Sequence, residues 1–91
     1  MELTFLKSKT KSWVAEFEVT SDFNLHIEKA ERGELRVYQK TAGDKYAEIN
    51  TPSELVDNEV VDCDFSGSVY PKRIKIVSEV EPTYAEVTAR S

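Results

Sequence analysis

The sequence is sparing with the residues that build sites. Of 91 residues one is cysteine, one is histidine, three are glycine and three are proline. A lone Cys63 permits no internal disulfide, and one Cys with one His is too few for an ordinary zinc centre. Synthesis in a reducing cytoplasm is the natural expectation. Glycines scattered at 33, 43 and 67 cannot form a phosphate-cradling loop. The opening MELTFLKSKTKSW lacks the charged lead and apolar run of about 7 to 15 residues that mark a secretory signal. No window approaches the roughly 18 apolar residues of a membrane helix. Excess positive charge is missing too: 17 acidic against 12 basic residues leave a net charge of -5, which repels a phosphate backbone. Neither membrane nor nucleic acid is an expected partner, and no cofactor is expected. The clusters Lys7, Lys9, Lys11 and Lys72, Arg73, Lys75 are small and fit solvated turns or edges.

What the sequence does have is period-2 alternation, the mark of half-buried strands. In WVAEFEV, Trp13, Ala15, Phe17 and Val19 share one face and Glu16 and Glu18 the other. Phe23, Leu25 and Ile27 alternate with Asn24, His26 and Glu28. Leu35 and Val37 alternate with Arg36, Tyr38 and Lys40, and Ala47 and Ile49 with Tyr46 and Glu48. Val61, Cys63 and Phe65, then Ile74 and Ile76, then Ala85, Val87 and Ala89 continue the scheme, and LTFL supplies a short first strand. Thr51, Pro52, Ser53 and Glu54 form a capping box with proline at the first helical position, predicting one short helical turn near 52–57. About eight strands with no long helical pattern predict a single all-β domain over 1–91, an antiparallel β-sandwich of jelly-roll-like type. Trp13, in the inward phase, is expected to anchor the core.

The glycines suggest registers. With Gly33 and Gly43 each as the left-handed last residue of a three-residue hairpin loop, the strands from Phe23 to Ile49 form a meander. Glu28 then faces Arg36, His26 faces Tyr38, Arg36 faces Glu48 and Tyr38 faces Tyr46. A similar loop at Thr20 to Asp22 brings Glu16 beside His26. The solvent face then carries an ionic row, Glu28, Arg36 and Glu48, and a second row, Glu16, His26, Tyr38 and Tyr46. The second row is the candidate contact patch, because tyrosine offers a rigid amphipathic surface to proteins and sugars. The competing reading is plain strand filler, since aromatics favour strands and pair across them.

Asp62, Asp64 and Ser66 in DCDFSG match the start of a calcium loop, but the position that should hold a bidentate glutamate is Arg73, and a strand with an acidic outer face accounts for the same letters. His26 titrates near neutrality but faces away from Cys63, whose neighbours Val61 and Phe65 place it on the core side. No nucleophile and base share a surface, so no catalytic residues are assigned and no enzyme is expected.

Two segments, WVAEFEVTSDFNLHIE and VYPKRIKIVSEVEP, resemble small, mostly uncharacterised proteins carried by bacteriophages and prophages of gut Bacteroidales. The resemblance implies a virion component, such as a capsid decoration, head-fibre or tail-associated module, with other virion proteins or further copies of itself as partners. A carbohydrate-binding module using Tyr38 and Tyr46 as a stacking platform is the alternative.

Overall fold

Alternating chains with an apolar face on every strand must pair two such faces to exclude water, and this chain does so with two antiparallel sheets. The structure is a computed structural model that describes residues 1–51 and 56–90. Its strands are β1 (Leu6–Lys7), β2 (Trp13–Val19), β3 (Phe23–Lys29), β4 (Leu35–Lys40), β5 (Ala47–Ile49), β6 (Val60–Phe65), β7 (Lys72–Ser78) and β8 (Pro82–Ala89). One sheet has the order β1-β2-β7-β4-β5 and the other β6-β3-β8. The helical turn expected near 52–57, with its capping box, falls chiefly on 52–55, outside the described residues. Val56, just beyond them, is buried in the core. Among the described residues no helix is long and apolar enough to cross a membrane.

The pairing follows one rule. β4 pairs with β5, β3 with β6 and β2 with β7, and Glu2, ahead of β1, bridges Glu86 of β8. The first half of the chain thus lies antiparallel to the second as one long ribbon, and rolling that ribbon adds the pairs β4 with β7 and β3 with β8. This is the jelly-roll topology. The N-terminal segment serves both sheets: the Leu3 amide donates to the Ala85 carbonyl at 2.9 Å, while Leu6 and Lys7 pair with Val14 and Trp13.

The expected meander is therefore corrected. β3 lies in the sheet opposite β2 and β4, so neither the β2–β3 nor the β3–β4 hairpin exists. Alternation fixes which face of a strand is buried but not which sheet it joins, because a strand moved to the opposite sheet buries the same residues. The expected β4–β5 hairpin does form, two residues out of the expected register: Tyr38 faces Glu48, and Val37 faces Ile49. A two-residue slip preserves both faces, so the hydrophobic pattern cannot detect it. Gly43 has the expected left-handed backbone, with φ 76°. Gly33 does not have a positive φ. Its constraint is space, since a Cβ there would lie 2.4 Å from Cγ2 of Val80 in the β7–β8 turn.

The inward phases hold for the core strands, but Ala47 at the start of β5 and Ala89 at the end of β8, both expected inward, are exposed because they lie at strand ends. Phe17, Val19, Phe23, Leu25, Ile27, Leu35, Val37, Val61, Ile74, Ile76, Ala85 and Val87 are all buried, and Phe65 stacks on Phe23 at 5.1 Å. Trp13 has the inward phase but lies at the margin, half-buried and outside the buried cluster, with Ser78 opposite and the Lys7 ammonium 6.0 Å from its ring. Among the described residues, two polar side chains enter the interior. Ser78 donates to the Val80 carbonyl at 2.6 Å. Lys29 donates to the carbonyls of Gly33 at 2.6 Å and Val56 at 3.4 Å, and its burial lowers its pKa.

Candidate interaction surfaces

The four residues of the expected patch separate. Glu16, Tyr38 and Tyr46 meet on the outer face of the five-stranded sheet, while His26 lies on the outer face of the other sheet. What unites the first three is β7, whose Lys75 stands opposite both Glu16 and Tyr38. The Lys75 ammonium lies 5.5 Å from the Tyr38 ring centre and 5.2 Å from that of Tyr46, and Lys40 lies 5.0 Å from the Tyr46 ring. The Tyr46 hydroxyl donates to Glu16 at 2.8 Å. Partial burial, followed by this bond, raises the Tyr46 pKa. The two tyrosines are thus half-buried rings whose π faces already hold cations.

The ionic row is split in the same way. Arg36 reaches Glu48 at 3.4 Å and bonds Glu34 more closely, whereas Glu28 lies across the sandwich.

His26 has different neighbours from those expected. It faces Asp62 of β6 on one side and Glu86 of β8 on the other. Its Nδ1 lies 3.0 Å from an Asp62 oxygen and its Nε2 lies 2.8 Å from Glu28. A neutral imidazole can donate from only one nitrogen, whereas the imidazolium donates from both. Hydrogen bonds to Glu28, then to Asp62, accordingly raise the His26 pKa above 6.5. Asn24 donates to both Asp62 and Asp64 at 2.9 Å, and the Asp62 carboxyl is held below its usual range by Asn24 first and His26 second. Tyr84 donates to Glu86 at 2.6 Å, and Arg90 pairs with Asp64 at 3.1 Å. With Glu2 beside Glu86, this face is predominantly anionic.

The calcium-like letters run along extended β6. Asp62 and Asp64 stand side by side there, sharing the Asn24 amide, and Ser66 lies beyond the strand end. An extended strand does not wrap its oxygens around a common centre. Cys63 points to the core as expected, and burial pushes its thiol up to about 11.

At one end of the sandwich, Asp22 in the β2–β3 turn accepts from the Gly67 amide at 3.2 Å and from the Tyr70 hydroxyl more closely. Those two bonds, Tyr70 first, lower its pKa. This tie holds the β6–β7 loop, which contains the cis Tyr70–Pro71 bond. Between that loop and β5 lies a cleft of about 520 Å³, with Phe23, Ile49, Phe65 and Ile74 in its wall and Gln39, Asn50 and Lys72 among its polar lining. Sequence reasoning missed this cleft, because it forms between β5 of one sheet and the loop that follows β6 of the other, and no local pattern brings those segments together.

Compared with known proteins, the chain has no significant match among family models, curated proteins or solved structures.

Proposed function

We propose that the protein is a non-enzymatic interaction module, a structural component of a phage particle that acts as a capsid decoration, head-fibre or tail-associated protein. The observation that carries this reading is the rolled-ribbon pairing of β2 with β7, β3 with β6 and β4 with β5, since viral capsid domains are among the users of the jelly-roll architecture. It is support by architecture, and the segments WVAEFEVTSDFNLHIE and VYPKRIKIVSEVEP add support by resemblance. The partners are other virion proteins or further copies of the chain.

Lectins also use this architecture, so the carbohydrate-binding alternative shares that support. It draws less from the Tyr38 and Tyr46 surface, where Lys40 and Lys75 lie over the rings a sugar would stack on. Particles purified by density gradient should contain this chain in a fixed ratio to the major capsid or tail protein. Particles lacking it overturn the virion reading, and a glycan titration whose signal disappears in Tyr38→Ala and Tyr46→Ala favours the alternative.

A further inference from the structure

The backbone groups of β6 divide into two sets. The Lys29 amide donates to the Glu59 carbonyl at 2.7 Å, and the same register continues with Val61 opposite Ile27, Cys63 opposite Leu25 and Phe65 opposite Phe23. In an antiparallel pair, residues that bond the neighbouring strand alternate with residues that turn away from it. Odd-numbered residues of β6 therefore bond β3, and Val60, Asp62 and Asp64 point their amides and carbonyls outward. Among the described residues, β6 pairs with β3 alone. Such an edge is a template for another strand.

We propose that this edge takes an extended segment of a partner protein in which basic and apolar residues alternate, added to β6 as a further strand. The site rests on the interaction-module reading above and gives it a surface and a partner chemistry. The phase of β6 dictates the pattern. An added strand places every second side chain inward, beside Phe65 and towards the apolar wall of the cleft, where Ile49 and Ile74 lie. The intervening side chains emerge beside Asp62 and Asp64, on the anionic face that also carries Glu28 and Glu86. Asp64 already accepts a guanidinium, that of Arg90. The chain's own β7 shows the same pattern accommodated in a sheet of this fold, with Ile74 and Ile76 inward and Arg73 and Lys75 outward against Glu18 and Glu16. A second copy of β6 is a poorer occupant. The two-fold pairings with the greatest overlap, centred on Asp62 or Cys63, set Asp62 against Asp62 or Asp64, and like charges directly opposed are destabilising.

The test is an amide NMR titration of the whole protein with the capped peptide KRIKIV. Shifts are expected at Asp62, Asp64, Phe65 and Ile49. The charge-reversed peptide EEIEIV should bind at least tenfold more weakly, and Asp62→Asn with Asp64→Asn should weaken KRIKIV about threefold to tenfold, as two exposed ion pairs allow. N-methylating alternate amides of the peptide separates strand addition from simple charge attraction, because methylation of one set should abolish binding while the other set tolerates it. This readout leaves the protein unaltered, so a folding defect cannot mimic it. No shifts at millimolar KRIKIV, equal binding of EEIEIV, or indifference to which amides are methylated overturns the proposal. If the chain is found in particles while this titration fails, the β6 site alone falls; if it is absent from particles but the titration succeeds, the virion reading alone falls.

Discussion

Nδ1 of His26 lies 3.0 Å from the Asp62 carboxylate, joining the central and edge strands of the three-stranded sheet, while Nε2 of the same ring lies 2.8 Å from Glu28. The folded state raises the His26 pKa and lowers that of Asp62. The histidine contribution to stability is fully present below its unfolded value of 6.5 and is lost as pH rises through the higher folded value. The aspartate contribution is present above 3.8 and is lost as pH falls through the lower folded value. Both act together between those limits. A histidine-resolved NMR titration should give a pKa above 6.5 that drops in Glu28→Gln and, less, in Asp62→Asn. In urea denaturation, His26→Gln should cost more stability at pH 5 than at pH 8. A wild-type value at or below 6.5 contradicts this arrangement.

Cys63 should be inert in the folded protein. Its thiol faces the core, and burial pushes it up to about 11. Since the thiolate is the nucleophile, alkylation by iodoacetamide at pH 8 should be far slower in the native protein than in urea. Equal rates in the two states would place Cys63 on the surface.

Three turn positions predict distinct substitution effects. Gly33→Ala drives a methyl into Val80 and should cost about 1 to 3 kcal/mol, an overpacking penalty that Val80→Ala relieves in a double-mutant cycle. Gly43→Ala meets no neighbouring atom but must hold a φ of 76°, and should cost about 1 to 2 kcal/mol without any rescue from Val80→Ala. Lys11 holds a φ of 66° in the β1–β2 turn, so Lys11→Gly should stabilise by up to about 1 kcal/mol. Chemical denaturation measures all three.

Lys29 ties the β3–β4 loop to Val56 through two carbonyls in the interior. Lys29→Met keeps the apolar stem but leaves both carbonyls without the ammonium, and should cost about 1 to 3 kcal/mol. A neutral result in urea denaturation would mean that water reaches both oxygens.

The alternation in the sequence assigns an inward or outward side to residues from Phe17 to Val87, and the structure buries the inward set, wholly or in part, apart from Ala47, which is exposed on the edge strand β5. Neighbours were less legible. Glu16 and Glu18 face Lys75 and Arg73 across β2 and β7, a charge match present in the sequence, but nearly sixty residues of chain separate the partners and other acidic strands could have made it. His26 illustrates the same limit. Its outward side was legible, but its partners Asp62 and Glu86 depend on β3 joining the opposite sheet, and no local turn chemistry encodes that choice. Gly33 misled because a glycine kept for close approach to Val80 looks, in sequence, like one kept for a left-handed turn. Lys29 carries the inward phase of its strand, yet a charged residue there gives no hint of the two carbonyls that receive it.

The proposed function requires the chain to assemble with protein partners. Sedimentation equilibrium, from micromolar to millimolar concentration, alone and mixed with purified capsid or tail proteins, tests it most directly. A mass above the 10.4 kDa of a single chain is expected in at least one of these conditions. A mass that stays at 10.4 kDa alone and in every mixture contradicts it.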